Sequence, residues 1–519
     1  MKDVIVGIDA GTSVIKSVAF SLSGEQLADS AVANTYYNTS DKGVEQDPVK
    51  TWEDAAKTLQ ALLTKIPDLA QRIAAISVTG QGDGTFLIDD KGEPVTAGWL
   101  WLDGRAGSLV DDFQASPNKE ARFNLTGTGF AACQQSAHLM WMKKYAPELI
   151  NNSATAFHCK DWLYFKLTGE RVTDPSEGCF TFGDFRTLEY ADEILDMLDI
   201  RDCARLLPPM LDGVKSYHLL SSEAAKKIGL SEGIPIVLGY VDVICTALGV
   251  GLYDVDSSPG CTVVGSTGVH MNLVRGVKNI QINSECTGFT MPMPIDGIYA
   301  QMQSNLACTL NIDWVLSVAE ELLAEFGYEV TRKDLIPYIE DWLAKSKSAQ
   351  FLYQPYILEA GERGPMIDNN AKAGFIGLSS QHGFADLVRA VIEGLAMAGR
   401  DCYTAMGHVP DEIRLTGGAA RSGALRRIFG NVLGAKVRTS QREEAGAAGT
   451  AMIAAVSIGC YDNMDDCISD WVTPRLGELE DYDIAEAKKY DALFPSYIAS
   501  RKALQPVWQQ LSDRSREET

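Results

Sequence analysis

A short turn of glycine, threonine and serine occurs once in each half of this 519-residue chain. The first turn is Gly11-Thr12-Ser13 and the second is Gly265-Ser266-Thr267-Gly268. Each turn joins two apolar runs that are typical of strands, at residues 4–8 and 14–20, and at 261–264 and 269–273. The turns lie about half a chain apart, and a hairpin with the same tip in each half predicts two similar domains facing each other.

Strand and helix patterns alternate along the rest of the chain. Residues 51–66 carry apolar side chains at helical spacing. Short strands at 73–78, 236–238 and 413–416 each lead into a helix-like stretch. This alternation predicts an α/β fold. A glycine- and aspartate-rich segment at 249–260 predicts a boundary between a first domain, residues 1–252, and a second, residues 253–519.

The composition limits the partners. With 46 Lys and Arg against 69 Asp and Glu, the net charge of −23 argues against nucleic acid and anionic membranes. The 11 scattered cysteines form no Cys-x-x-Cys pair, which favours reduced thiols in a cytoplasmic protein. The uncharged run 445–461 has 17 residues, fewer than the roughly 20 that a membrane span requires. We predict a packed internal helix there.

The two tips are candidate phosphate sites. Glycine lets backbone N–H groups approach phosphate oxygens, and the hydroxyl groups add donors. Asp9, at the end of the first strand, could hold Mg²⁺ through water. Taken alone, either tip could equally be a simple hairpin turn. Two tips that face one cleft favour a clamp on the β- and γ-phosphates of ATP.

Asp242 follows the strand at 236–238 and stands where the next helix begins. A helix N-cap is the common role for such an aspartate. The alternative is a general base that accepts a proton from a substrate hydroxyl. Because a helix N-terminus favours the carboxylate form, we expect Asp242 to be ionised and a weak base. That suffices where positioning and charge neutralisation supply most of the catalysis.

A second glycine pair opens another strand into a helix at Thr416-Gly417-Gly418-Ala419-Ala420-Arg421. Such a turn exposes backbone to nucleotide phosphates or to an adenine ring. It is equally consistent with an ordinary tight turn between a strand and a helix.

These residues together resemble the FGGY family of carbohydrate kinases, within the actin-like ATPase superfamily. The match begins at Gly7-Ile8-Asp9-Ala10-Gly11-Thr12-Ser13 and covers nearly the whole chain. Its most specific part is Ala373-Gly374-Phe375-Ile376-Gly377-Leu378, followed after seven residues by Asp386-Leu387-Val388-Arg389. Leu167-Thr168-Gly169-Glu170 and Gly361-Glu362-Arg363-Gly364-Pro365 support it. One departure is His138, where the family usually has lysine.

The resemblance implies two actin-like (ribonuclease H-like) domains with the active-site cleft between them, and ATP and Mg²⁺ as cofactors. It implies Asp242 as the catalytic base and Asp9 near the metal. The implied nucleotide-binding residues are Gly11, Thr12, Ser13, Lys16, Gly265, Ser266, Thr267, Gly268, Gly417, Gly418, Ala419 and Arg421. The implied substrate-binding residues are Gln81, Asp83, Trp101, Asp103 and Arg105. A homodimer is common in the family.

The substrate loops carry the residue types that a polyol or sugar needs. Carboxylates and amides pair with vicinal hydroxyls, and an aromatic face covers the C–H side. Only one of Trp99 and Trp101 can easily face the pocket. Gln81-Gly82-Asp83-Gly84 is most similar to the loop of family members that act on erythritol, with L-xylulose or D-xylulose as the alternative. Gly82 would leave room where other members place a large side chain.

Two functions of other classes remain open at this point. One is a catalytically silent ligand sensor that kept the actin-like fold, which Asp9, Asp242 and both tips argue against. The other is an actin- or chaperone-like ATPase with a protein client, which the substrate loops disfavour. We therefore expect ATP-dependent phosphorylation of a terminal hydroxyl of a short polyol or sugar.

Overall fold

The computed structural model describes residues 2–517 of the chain. In that range the strands are, in chain order, β1 Val4–Ala10, β2 Val14–Ser21, β3 Gln26–Ala33, β4 Tyr37–Asn38, β5 Val44–Gln46, β6 Ile73–Gly80, β7 Phe86–Ile88, β8 Gly98–Trp99, β9 Thr155–Phe157, β10 Gly183–Asp184, β11 Glu189–Tyr190, β12 His218–Leu219, β13 Pro235–Leu238, β14 Gly260–Val264, β15 Gly268–Arg275, β16 Phe289–Pro292, β17 Ile298–Asn305, β18 Leu352–Gln354, β19 Gly374–Ile376, β20 Glu412–Thr416 and β21 Lys436–Thr439.

The α-helices of the same range are α1 Pro48–Lys65, α2 Leu69–Arg72, α3 Gly107–Gln114, α4 Asn118–Thr126, α5 Gln135–Tyr145, α6 Pro147–Asn151, α7 Cys159–Thr168, α8 Pro175–Phe182, α9 Asp192–Met197, α10 Ser222–Ile228, α11 Asp242–Val250, α12 Thr309–Glu325, α13 Arg332–Leu335, α14 Ile339–Lys345, α15 Phe384–Ala405, α16 Gly423–Leu433, α17 Ala445–Ser457, α18 Met464–Trp471 and α19 Ile484–Glu517. Short 3₁₀ segments lie at Arg201–Leu206, Val277–Asn279, Ile336–Tyr338, Gly418–Arg421 and Thr473–Arg475.

Two six-stranded sheets repeat one strand order. The first sheet runs β12-β13-β6-β1-β2-β3 and the second runs β16-β17-β15-β14-β20-β21. In the first, β1, β2 and β3 are antiparallel while β6 and β13 are parallel to β1. In the second, β14, β15 and β17 are antiparallel while β20 and β21 are parallel to β14. The predicted α/β fold with two similar domains is confirmed.

The repeated order explains why the candidate residues share one edge of each sheet. The hairpin tips at residues 11–13 and 265–267 lie between β1 and β2 and between β14 and β15. Residues 81–84 follow β6, Asp242 follows β13, and residues 417–421 follow β20. Because the carboxyl ends of parallel strands meet at one edge, each sheet presents its tip and its strand-end loops on the same side.

Helices α11 and α17 pack against each other between the two sheets. Their contact is so close that a Cβ on Gly449 would lie 1.9 Å from the Cys245 carbonyl oxygen. A Cβ on Gly7 of β1 would likewise lie 2.2 Å from the Ala447 carbonyl oxygen of α17. Only glycine permits these backbone approaches, which accounts for the run of small residues.

Helix α17 is the packed internal helix that the sequence predicts at 445–461, since it is buried along most of its length. It comes from the second half of the chain but packs against β1 and β6 of the first sheet. The packing therefore crosses the predicted boundary at residues 252 and 253. Within residues 2–517, no helix is long and apolar enough to cross a membrane.

Candidate active site

A cavity of about 320 Å³ lies between the two halves. The first half contributes Thr12, Gln81, Gly82, Asp83, Trp101, Cys133 and Asp242, among others. The second half contributes Thr267, Thr287, Phe289, Met302, Ser304 and Arg363, among others. The walls meet where the Gly129 N–H donates to the Gly288 carbonyl oxygen at 2.8 Å. One predicted residue of each tip, Thr12 and Thr267, thus reaches the same cavity, as the two facing hairpins led us to expect.

The first tip is tied to the substrate loops. The Thr12 hydroxyl donates to Gln81 Oε1 at 2.9 Å and accepts a hydrogen bond from Trp101 Nε1 at 2.8 Å. Gln81 Nε2 in turn donates to Gln46 Oε1 at 3.1 Å. Thr12 was predicted as a nucleotide contact, but its side chain faces Gln81 and Trp101, which were predicted as substrate contacts. Ser13 is exposed at the end of the tip.

Asp9 lies beneath this tip, next to the start of α17. A Cβ on Gly446 would lie 2.3 Å from Asp9 Oδ2, so glycine is required there. Burial raises the pKa of Asp9 to about 6, with the Lys16 ammonium acting in the opposite direction. Lys16 Nζ lies 2.9 Å from the Glu444 carboxylate. This ion pair joins β2 to the residue before α17, and so links the two halves of the chain beside Asp9.

Asp242 is the first residue of α11 and lines the cavity. The preceding loop is held at two points: the Val241 N–H donates to Ser176 Oγ at 3.0 Å, and the Thr79 hydroxyl donates to the Tyr240 carbonyl at 2.6 Å. Burial, together with the neighbouring Asp9 carboxylate, raises the pKa of Asp242 to about 7. The expectation of an ionised Asp242 that is a weak base is therefore wrong, because desolvation outweighs the helix N-terminus.

Asp83 lies beside Asp242 in the same wall. Its Oδ1 is buried and has no hydrogen-bond partner within residues 2–517. Burial raises the pKa of Asp83 to about 6, while the charges of His158 and Arg363 lower it. Asp83 has a φ of 55°, and this left-handed backbone turns its side chain into the cavity wall. An unpaired buried carboxylate oxygen is the kind of acceptor that a substrate hydroxyl satisfies.

Side chains of this chain fill the space next to the Gly82 Cα, where a side chain would lie. A Cβ on Gly82 would lie 2.5 Å from a Val241 methyl group and 3.0 Å from Glu177 Oε1. The prediction that Gly82 leaves room where other members place a large side chain is therefore wrong, since Val241 and Glu177 occupy that room.

Trp101 lines the cavity, whereas Trp99 is buried behind it. Arg105 lies over the Trp99 ring at 3.4 Å and pairs with Asp103 at 2.7 Å and with Glu45 at 2.8 Å. The buried His138, whose pKa desolvation lowers to about 4, packs edge-on against Trp99. Asp103 and Arg105 were predicted as substrate contacts, but the structure does not bring them to the cavity. Their charged groups satisfy each other beneath the Trp101 loop.

In the second tip, Thr267 lines the cavity and Ser266 is exposed. The loop before α12 fixes this tip, because the Cys308 N–H donates to the Ser266 carbonyl at 2.7 Å and the Thr309 N–H donates to the Gly265 carbonyl at 3.0 Å. Gly268 begins β15. Thr12, Asp242 and Thr267 therefore meet at one cavity although they lie far apart in sequence.

The Gly417–Arg421 turn borders two hollows in the second half. One, of about 680 Å³, is lined by polar groups that include Thr439, Gln441 and Glu444. The other, of about 620 Å³, is lined mainly by aliphatic side chains such as Ile312, Ile336, Pro337 and Leu425, and also by Ala419. Gly418 and Arg421 line both, so this turn forms their shared wall. An apolar slot beside a polar one suits a purine base joined to a ribose and phosphates.

Sequence reasoning missed a buried charged cluster behind the first wall. It consists of His158, Lys160, Asp161, Asp174 and Glu177. Lys160 Nζ lies 2.5 Å from both Asp161 Oδ1 and Asp174 Oδ2. The Ser176 hydroxyl donates to Asp174 and accepts from the Val241 N–H, so the cluster reaches the loop that carries Asp242. Burial raises the pKa of Glu177 to about 8.

Two family models match the chain. The model of the FGGY family of carbohydrate kinases, N-terminal domain, matches residues 4–249, and the model of the C-terminal domain matches residues 261–458. The chain belongs to the FGGY family of carbohydrate kinases. Among other FGGY proteins, it is 52% identical over 510 residues to erythritol kinase of Brucella abortus (strain 2308), with 98% of each chain covered. It is 27% identical to xylulose kinase of Escherichia coli (strain K12), with 98% of this chain and 99% of that protein covered.

Solved FGGY structures share the fold over almost the full length. Xylulose kinase from Rhodospirillum rubrum superposes with a TM-score of 0.87 at 25% identity, covering 98% of this chain and all of that one. Gluconate kinase from Lactobacillus acidophilus gives a TM-score of 0.87 at 24% identity, covering 98% of this chain and 99% of that one. The predicted fold class and family are confirmed.

Proposed function

We propose that this chain transfers the γ-phosphoryl group of ATP to a terminal hydroxyl of a short polyol, with erythritol as the substrate. The observation that carries the proposal is the meeting of Thr12, Asp242 and Thr267 at one cavity between the halves. The choice of erythritol rests on the 52% identity to erythritol kinase over 98% of the chain. A cytoplasmic location agrees with the use of ATP.

The adenosine part of the nucleotide binds to the second half of the chain. We place the adenine in the apolar hollow and the ribose in the polar one, against Gly417, Gly418, Ala419 and Arg421. The phosphates run from there to the tips, where we place them against backbone N–H groups of Gly11, Ser13, Ser266 and Gly268. Lys16 contacts the phosphates only if its ion pair with Glu444 opens. Because that pair links the two halves of the chain, phosphate contact at Lys16 would be coupled to movement of the halves.

Asp9 is suited to hold an Mg²⁺ ion whose other ligands are water molecules and phosphate oxygens of the nucleotide. Within residues 2–517, no group of three or more His, Cys, Asp and Glu side chains could enclose a metal ion. Mg²⁺ in kinases takes one or two carboxylates and fills its shell with water and phosphate oxygens, which Asp9 beside Asp242 suits. The ion would neutralise charge on the transferring phosphoryl group.

Asp242 is the general base. The substrate oxygen attacks the γ-phosphorus, the bond from that phosphorus to the bridging oxygen breaks, ADP leaves, and the hydroxyl proton passes to the Asp242 carboxylate. A base with a pKa of about 7 is matched to neutral conditions. The closed walls exclude water, which would otherwise compete as the acceptor.

The remaining hydroxyls of the polyol face Gln81 and Asp83, and Trp101 covers its C–H side. Gln81 is oriented by Thr12 and Gln46, so the amide is fixed before substrate binds. Asp103 and Arg105 act from beneath, by holding the loop of Trp101 in place.

A coupled assay of ADP release over a panel of polyols and pentuloses tests the proposal. We expect the highest kcat/KM with erythritol, and a kcat for erythritol that Asp242→Asn lowers by about 100- to 10,000-fold. A silent sensor would release no ADP with any substrate, and a protein-client ATPase would release ADP without a polyol. A preference for L-xylulose or D-xylulose would overturn the substrate but retain the reaction.

A further inference from the structure

Arg363 extends from the second half into the cavity, and neither the sequence motifs nor the proposed chemistry gives it a role. Its loop is fixed to the end of β17, because the Glu362 carboxylate accepts the Leu306 N–H at 2.9 Å and the Arg363 N–H at 2.8 Å. Its side chain is directed by Ser304, whose Oγ accepts the Arg363 Nε–H at 3.0 Å.

The two terminal nitrogens of the Arg363 guanidinium group are available to bind a ligand. Within residues 2–517, Nη1 and Nη2 of Arg363 have no hydrogen-bond or ion-pair partner, although the residue lines the cavity. An arginine presents its donors in a rigid fork, so fixing Nε also fixes the direction of the other two nitrogens. Arg363 is therefore a pre-oriented donor that faces the cavity.

Asp83 faces Arg363 from the other half. The charge of Arg363 lowers the pKa of Asp83 and of Cys133, whose Sγ lies 3.8 Å from Asp83 Oδ2. The two opposite charges nevertheless form no ion pair within 4.0 Å, and Asp83 Oδ1 has no hydrogen-bond partner in the described part of the chain. A donor on one wall and an acceptor on the other, separated by cavity, match a hydroxyl group, which both accepts and donates.

We propose that Arg363 and Asp83 form a clamp, one residue from each half, that binds a non-reacting hydroxyl of the substrate and selects it. This inference rests on the proposed polyol kinase activity. The clamped hydroxyl accepts from Arg363 and donates to Asp83 Oδ1. Because the residues belong to different halves, the bound substrate bridges the two walls of the cavity.

The clamp would also select among polyols by the position of their hydroxyl groups. Asp242 fixes the reacting hydroxyl at one point of the cavity, and the clamp fixes a second hydroxyl at another. A polyol that lacks a hydroxyl at the second point leaves a buried carboxylate oxygen and two guanidinium nitrogens unpaired, which is costly.

The test combines Arg363→Met with deoxy analogues of erythritol, each lacking one hydroxyl. Wild type and variant are compared by KM for erythritol, by inhibition constants for the analogues, and by KM for ATP. We expect Arg363→Met to raise the KM for erythritol about 10- to 100-fold, since a hydrogen bond to a charged group is lost. For the analogue that lacks the clamped hydroxyl, the variant should differ from wild type by less than about threefold.

Two further variants separate recognition from folding. Ser304→Ala keeps the charge but frees the guanidinium group, and should raise the KM for erythritol by about three- to tenfold. Arg332→Met removes an exposed arginine paired with Glu320 at 3.3 Å and should change neither KM. An unchanged KM for ATP in all three variants shows that the nucleotide side is intact.

An equal penalty of Arg363→Met on erythritol and on every analogue would overturn the clamp, as would an unchanged KM for erythritol or an equal rise in the KM for ATP. A wild type that turns over no polyol would instead overturn the proposed function, and the clamp with it. If the wild type is active on erythritol and Arg363→Met leaves its KM for erythritol unchanged, the clamp alone is overturned.

Discussion

The two halves of the molecule share a strand order but present different chemistry at the same edge. The first half carries three carboxylates, Asp9, Asp83 and Asp242, whose pKa values burial raises to about 6, 6 and 7. The second half carries two hollows beside a glycine turn and a single arginine, Arg363, in the cavity. Under the proposed function, one scaffold holds the groups that move a proton, and its repeat holds the groups that bind the adenine and ribose of the phosphate donor. The difference lies in the loops and not in the sheets.

The strongest way to break this comparison is to remove the base from the first half. Asp242→Asn should lower kcat by about 100- to 10,000-fold, because general base catalysis is lost. The KM for ATP should stay within about twofold, because the proposed adenine and ribose contacts belong to the second half and Asp242 makes none of them. Steady-state ADP release with erythritol measures both. A large rise in the KM for ATP would mean that the two halves do not divide the work in this way.

The contact between Asp9 and α17 offers the next largest effect. A Cβ on Gly446 would lie 2.3 Å from Asp9 Oδ2, so Gly446→Ala should displace the carboxylate and lower kcat/KM by about 100-fold. Gly107→Ala is the matched control, since a Cβ there meets no atom within 4 Å. Equal activity of the two variants would show that the position of Asp9 is unimportant.

A substitution in the Gly417–Arg421 turn, which separates the two hollows, should weaken nucleotide binding and leave polyol binding unchanged. A Cβ on Gly418 meets no atom within 4 Å, so the side chain of Gly418→Leu would project into the space assigned to the nucleotide. We expect the KM for ATP to rise about tenfold and the KM for erythritol to change less than twofold, as for the loss of one good contact. A selective rise in the KM for erythritol would place the nucleotide elsewhere.

The smallest of these effects concerns the loop that carries the base. Ser176→Ala leaves the Val241 N–H without its acceptor at 3.0 Å, and kcat should fall about three- to tenfold through misplacement of Asp242. Replacement by threonine, which keeps the hydroxyl, should restore most of the activity. Ser23→Ala, at an exposed serine, serves as the control.

Local patterns were sufficient to predict the parts of the fold that are set locally. The strands around both tips, the helix at 51–66 and the small-residue helix at 445–461 follow from apolar spacing and turn residues, and the structure has all of them. The repeat of a tip in each half was sufficient to predict the pairing of two similar domains. The return of α17 onto the first sheet was not predictable, because it depends on glycine contacts between segments about 440 residues apart.

The site shows the same limit. Asp9 and Asp242 were predicted from their places after or at the end of a strand, and Gln81 and Asp83 from the family resemblance. Gln81, Asp83 and Asp242 line the cavity. Asp103 and Arg105 were expected at the cavity, but their charges satisfy each other beneath it. The cluster around Lys160 and the arginine at 363 were missed, since ion pairs and cavity walls form only when distant segments pack. The pKa of Asp242 was misjudged for the same reason, because desolvation is a property of the folded cleft.

The pH dependence of kcat/KM for erythritol tests the central claim most directly. Asp242 must be deprotonated to accept the hydroxyl proton, and its raised pKa means that it is protonated, and inactive, in mild acid. We predict that kcat/KM rises tenfold per pH unit in acid and levels off near pH 7. A profile that levels off near pH 4, the ordinary range of an exposed aspartate, would contradict a base buried in the cleft between the two halves.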